Sequence, residues 1–150
     1  TTSRDMIQNM SDIVWSINPN NDTIEKLVYR LQQFCTDVFD KPGIQYHLNV
    51  DDEIKSKVLS MQLRRDIFLI CKEIINNAAK YSQASNFSLR LSLHQRTIVL
   101  IANDDGIGFR EDSVSKGNGL LNIRQRVNTY KGEAKLTSNN GTTWHIIIPI

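Results

Sequence analysis

The chain has 150 residues, 40% hydrophobic and 23% charged, with 18 basic against 16 acidic side chains and a formal net charge of +2. That length fits one globular domain, able to bury about 70% of its unfolded surface and so to fold without disulfide staples. The small net charge and the lack of a basic run argue against direct nucleic-acid binding, and no apolar stretch approaches the ~20 residues of a membrane-spanning helix. No charged start leads into an apolar core, so no secretory leader is expected in these residues.

Met6, Ile7, Met10, Ile13, Val14 and Ile17 recur at helical spacing and predict a first helix over about 4–17. Asn18-Pro19 breaks it, because the residue before a proline is pushed out of helical geometry. Thr23 reads as the N-cap of a second helix, with Glu25 in its first turn and an apolar stripe from Ile24 to Phe39. Pro42-Gly43 ends it. Residues 44–50 alternate with period two, as a strand with one buried face does. A polar loop from Asp51 precedes a third helix over 61–81, whose broad apolar face includes Ile67, Ile70, Ile74 and Ala78. Residues 87–93 alternate again. After a turn at His94-Gln95-Arg96, residues 97–102 are almost continuously apolar, which predicts a strand that is central or buried on both faces.

Residues 103–118 are polar and glycine-rich, a long loop. A fourth helix is expected over 120–130, stopped by Lys131-Gly132. Strands at 133–138 and 143–148, joined by Asn139-Asn140-Gly141, close the chain. The order predicts an α/β (α+β) two-layer sandwich: a mixed sheet with helices on one face. Cys35 and Cys71 lie singly in helical patterns and form no CxxC pair, so they read as core thiols in a reducing compartment rather than zinc ligands.

Three short constellations could carry chemistry. Glu73 and Asn77 are four apart on the third helix and share a face, with Lys80 three further on. A carboxylate can orient or deprotonate an attacking group, an amide oxygen is a hard ligand suited to magnesium, and a lysine can neutralise phosphate charge. The same triplet also fits a plain solvated helix face. Asp104-Asp105-Gly106-Ile107-Gly108 follows the apolar strand directly. Its glycines permit a sharp turn and close approach to a ligand, and a strand-end carboxylate accepts hydrogen bonds well. A calcium loop is excluded, since Ile101 would occupy the first ligand position. Gly117-Asn118-Gly119-Leu120 feeds the fourth helix, where exposed amides and the helix dipole favour an anion. It matches neither the Rossmann fingerprint nor the P-loop. Gly141-Thr142 alone is an ordinary hairpin turn. His47, His94 and His145 all lie in strand or hairpin contexts.

The order of these pieces resembles the GHKL ATPase superfamily. KEIINNAAKYSQA looks like its N box, NDDGIGF like its first glycine box, and GNGLLNIRQRV with KGEAKLTSNNGTTWHIIIPI like its second glycine box and closing hairpin. The wording is closest to sensor histidine kinases whose partners are helix-turn-helix response regulators, and DIVWSINPNND resembles the end of their dimerisation helix and linker. The resemblance implies a dimerisation-helix end and linker over 1–22 and an ATP-binding catalytic domain over 23–150. It implies that Asp104 binds the adenine amine with Thr142 beside it, that Gly106 and Gly108 shape that pocket, and that Asn77 coordinates Mg2+ bridging the phosphates of ATP. Glu73 would be the catalytic base or orienting group, and Lys80, Gly117, Gly119 and Leu120 would contact phosphate.

Two positions depart from the subclass: Tyr81 stands where histidine is usual, and Asp105 where asparagine is frequent. The chain also has no His-Asp phosphoacceptor motif, so the resemblance puts the acceptor histidine before Thr1. It implies as partners the protein's own dimerisation and phosphoacceptor domain, in a homodimer, and a response regulator. It implies a cytoplasmic location, with any membrane attachment in other parts of a bacterial sensor. Two alternatives use the same fold: an anti-sigma-factor-type serine kinase or switch, and a non-catalytic nucleotide-sensing module.

Overall fold

The computed structural model describes residues 10, 14, 23–108, 119–138 and 140–150. The expected first helix lies outside them apart from Met10 and Val14, which are helical and exposed. Helix α1 (Ile24–Asp40) starts where Thr23 takes an extended conformation and its hydroxyl accepts from the Lys26 amide at 3.4 Å. Its stripe buries Ile24, Leu27, Val28, Leu31, Cys35 and Phe39. Strand β1 (Gln45–Val50) follows, its alternate residues only half-buried.

The sequence predicts a polar loop after Asp51. A one-turn helix, α2 (Asp52–Lys55), forms there instead and seats Ile54 fully in the core. A single apolar residue among charges offers no periodicity from which to read this. Helix α3 (Met61–Tyr81) has the expected bounds. Ser60 caps it, accepting from the Leu63 amide at 3.2 Å, and Ile67, Ile70, Cys71, Ile74 and Ala78 are buried.

The remaining elements are β2 (Asn86–His94), β3 (Thr97–Asp104), α4 (Gly119–Thr129), β4 (Glu133–Ser138) and β5 (Thr142–Pro149). Among the described residues the sheet runs β1-β2-β3-β5-β4, with β1 parallel to β2 and all other pairs antiparallel. The mixed sheet carries its helices on one face. Phe87, Leu89 and Leu91, then Ile98, Leu100 and Ala102, then Trp144, Ile146 and Ile148 form the buried face.

Strand β3 is central, as expected, yet it is buried on one face only. Ile98, Leu100, Ala102 and Asp104 point in, while Ile101 is 38% exposed. Among the described residues no second layer covers the far face, which an antiparallel sheet tolerates. The period-two alternation that turns Ile98, Leu100 and Ala102 toward the helices also turns Asp104 inward, at the strand's last position. Cys35 and Cys71 are free thiols inside the α1–α3 packing. Burial pushes Cys35 up to about 12 and Cys71 higher still, with the neighbouring Cys35 adding to the latter, so neither is a nucleophile.

Candidate nucleotide site

The C-terminal end of α3, the end of β3 and the start of β5 converge on one pocket. Asn77 and Tyr81 of α3, Asp104, Gly108 and Thr142 line it, over an apolar floor of Phe87, Ala102 and Trp144. Asp104 is 6% exposed. Its carboxylate accepts from the Gly106 amide at 2.9 Å and from the Thr142 amide. Burial pushes this carboxyl above its ordinary range, the two amides pull it back, and neighbouring Asp105 adds to the rise. Thr142 therefore acts on Asp104 through its backbone, as its register partner across the β3–β5 ladder. The result is an oriented acceptor in a small, mostly apolar hollow, suited to a hydrogen-bond donor such as an amine.

Two glycines make this geometry possible. A Cβ on Gly106 would lie 2.1 Å from the Ser82 carbonyl oxygen, and the Ile107 amide donates to that same oxygen at 2.8 Å. Gly141 has φ +124° and packs on the Asp104 carbonyl, where a Cβ would come within 2.1 Å.

Two supporting residues escape a reading from sequence alone. Ser82 is buried; its hydroxyl donates to the Ala78 carbonyl at 2.5 Å and accepts from the Ala84 amide at 3.0 Å. Asp105 clamps the α3–β2 turn to the end of β3. It accepts from the Ser85 amide at 2.8 Å, the Asn86 amide at 2.9 Å and the Asn86 side-chain amide at 2.9 Å. Those bonds, the Asn86 side chain's first, hold its carboxyl below the usual carboxylate range. The aspartate standing where asparagine is frequent was the one available signal for this clamp.

Glu73 and Asn77 share a face of α3, yet they line different hollows. Asn77 faces the Asp104 pocket, whereas Glu73 lies in a cleft between α3 and α4 with Lys72, Asn76, Asn122 and Arg126. Gly119 opens α4 hard against Glu73: a Cβ there would sit 2.0 Å from Glu73 Oε1. Leu120 is partly buried against the core. Lys80 is exposed on the last turn of α3 and does not line the Asp104 pocket. Gly117 lies outside the described residues.

The Asn77 amide nitrogen is buried with no hydrogen-bond partner among the described residues. An orphaned buried amide costs about 1–3 kcal/mol and marks a place where a missing partner belongs. Among the described residues no three His, Cys, Asp or Glu side chains gather as metal ligands. The orphaned N–H group calls for an acceptor such as water or a phosphate oxygen, whereas the Asn77 side-chain oxygen is a hard atom of the type magnesium takes; the residues present would hold that ion through this one oxygen and not through an all-protein cage.

Residues 62–150 match the family described as histidine kinase-, DNA gyrase B-, and HSP90-like ATPase. The signal transduction histidine-protein kinase/phosphatase UhpB of Salmonella typhimurium is 32% identical over 71% of this chain and 21% of its own length. The sensor histidine kinase DesK of Bacillus subtilis is 34% identical over 58% of this chain and 24% of its own length. The chain thus spans less than a quarter of either relative. Among solved structures, the histidine kinase AdeS of Acinetobacter baumannii superimposes with a TM-score of 0.71 at 17% identity, covering 97% of this chain and 77% of that one. The blue-light activated histidine kinase of Erythrobacter litoralis gives 0.69 at 21% identity, covering 97% and 49%. At such identities the likeness is one of fold.

Proposed function

Because the chain belongs to the histidine kinase-, DNA gyrase B- and HSP90-like ATPase family, as the ATP-binding catalytic domain of a histidine kinase, we propose that it hands the γ-phosphoryl group of ATP to a histidine outside these residues. From there the phosphoryl group passes to an aspartate of a response regulator. Residues 23–150 are the catalytic domain in this reading, and 1–22 are the end of a dimerisation helix and its linker in a cytoplasmic part of a bacterial sensor.

Adenine enters over Phe87, Ala102 and Trp144 and donates its amine to Asp104, which the Gly106 and Thr142 amides hold in place. Asn77 offers its amide to the magnesium–phosphate end, and bound magnesium would supply charge neutralisation there. In this reading the amides opening α4 at Gly119 and Leu120 bind phosphate, since a helix N-terminus favours anions. Glu73, pressed on Gly119, orients the incoming nucleophile or accepts its proton. The residues supply positioning and electrostatics, which is most of what phosphoryl transfer asks of a protein.

The observation that carries this reading is Asp104: a buried carboxylate, turned inward by strand parity and fixed by two backbone amides. Calorimetric titration of ATP into this chain, with and without magnesium, tests it. Micromolar to submillimolar binding that responds to magnesium and weakens about 10- to 100-fold in Asp104→Asn is the expected result. Folded protein giving no heat would sink the proposal and favour a non-catalytic module of the same fold. His47 and His145 are exposed on strands β1 and β5 and His94 ends β2. Incubation with radiolabelled ATP is accordingly expected to leave this chain unlabelled.

A further inference from the structure

Helix α4 is thinly packed. Of its eleven residues, Ile123 and Val127 are the buried ones. A polar tie supplements them. Asp66, within α3 and 9% exposed, accepts from Arg126 Nη1 at 3.1 Å and from the Tyr130 hydroxyl. Burial, then the Asp66 carboxylate, pushes the Tyr130 hydroxyl well above its ordinary pKa, so it stays protonated and donates at any physiological pH.

The tie has a matching rung. Asp66 holds Arg126 at the last turn of α4, and Glu73 meets Gly119 at the first. Asp66 and Glu73 are seven residues apart on α3, and Arg126 and Gly119 are seven apart on α4 in the opposite sense. Two antiparallel helices are therefore joined at two levels about 10 Å apart along their axes. The upper rung is a mere contact with the end of a flexible side chain. The lower one is a buried carboxylate engaging two donors, one of them a guanidinium, and such bonds are directional and strong.

We infer that Asp66 is a positioning residue for the phosphate end of the site: by gripping Arg126 and Tyr130 it sets where the first amides of α4 stand relative to Glu73. The inference rests on the proposed reading that those amides face phosphate. Asp66 does not line the Asp104 pocket, to which α3 contributes only residues from Ile74 onward, two turns or more beyond Asp66. Its loss should weaken ligands in proportion to their phosphate contacts and leave the nucleoside alone.

The test compares Mg-ADP with adenosine, measured on wild-type chain, Asp66→Asn and Tyr130→Phe by calorimetry, with competition for the weaker ligand. Asp66→Asn is expected to weaken ADP about tenfold while adenosine changes less than about twofold. Tyr130→Phe, which deletes one donor and keeps the ring, should shift ADP in the same direction by less, and it carries the test if Asp66→Asn fails to fold. Equal loss for both ligands would reduce Asp66 to a fold-holding role, and no loss for either would leave it idle; both overturn the inference. Wild-type chain binding ADP no better than adenosine would overturn the phosphate reading of α4 itself, a distinct failure visible before any substitution.

Discussion

The two ends of the nucleotide site use glycine against different kinds of neighbour. At the base end, Gly106 and Gly141 press on main-chain oxygens, those of Ser82 and Asp104, each leaving 2.1 Å for a Cβ. At the α4 end, Gly119 leaves 2.0 Å, a similar gap, but its neighbour is Glu73 Oε1, the tip of a side chain with three rotatable bonds. The base end also stands on Phe87, Ala102 and Trp144, none more than 3% exposed, while α4 buries two side chains. One end is thus fixed by backbone and core, the other by a movable carboxylate and one polar tie. The Asp104 end is built to hold its shape, and the α4 end is left adjustable.

The contrast breaks most visibly at the rigid end. Gly106→Ala must push the α3–β2 turn away from β3, and Gly141→Ala adds a positive-φ penalty to its clash. Each is expected to cost about 3 kcal/mol of stability in denaturant titration and to abolish ATP binding. A native unfolding midpoint in Gly106→Ala would mean the turn is as pliant as the α4 end.

Asp104→Asn comes next, and it separates stability from function. The folded carboxyl sits above its unfolded value, mainly through burial. A group raised in this way contributes stability below its unfolded pKa of about 3.9 and loses it as pH rises through the folded value. At pH 7 the carboxylate is therefore a burden on the fold. The asparagine variant should melt at or above the wild-type temperature while its ATP affinity falls about 10- to 100-fold. A variant that loses stability along with affinity would show that the amides from Gly106 and Thr142 outweigh burial.

The base end was the more legible of the two from sequence. Asp104, Gly106 and Thr142 fall in compact motifs, but the inward aim of Asp104 comes from the structure, where the strand runs on to that residue instead of ending at 102. The inward aim of Asp66 was hidden, because it lies in a polar stretch of α3 beside Arg64 and Arg65, and its partners are 60 and 64 residues away. Long-range polar pairs leave no periodic trace in a single chain. The same holds for Ile54 in its one-turn helix. For β3 the composition left two readings open, central or buried on both faces; the strand is central, and among the described residues one layer covers it.

Gly119→Ala probes the adjustable end and should be milder than Gly106→Ala by design of the contact. At the first position of α4 alanine gains little helix propensity, but Glu73 can swing aside, so stability should fall little if at all. The displaced carboxylate then no longer stands at the α4 amides. Mg-ADP affinity is expected to change several-fold, with adenosine unaffected. Unfolding on the scale of Gly106→Ala would show Glu73 to be as fixed as backbone, and the two ends would no longer differ.

The smallest effect is expected at Asp105, which is exposed and whose bonds compete with water. Both backbone amides of the clamp reach one carboxylate oxygen, Oδ1, and the Asn86 side-chain amide reaches the other. Asp105→Asn can keep the first pair, since an amide oxygen has two lone pairs, but it then turns one NH2 group toward another. The folded carboxyl is depressed, so its contribution is present above about pH 3.9 and disappears as pH falls through the folded value. The variant should melt slightly below wild type at pH 7, and the gap should close as pH falls through the folded value and the wild-type carboxyl gives up the same bond. Melting curves on an acid titration decide it. A gap that stays constant as pH falls would assign the loss to shape rather than to charge, and would place the clamp with the rigid backbone contacts of Gly106 instead of with the adjustable ones of α4.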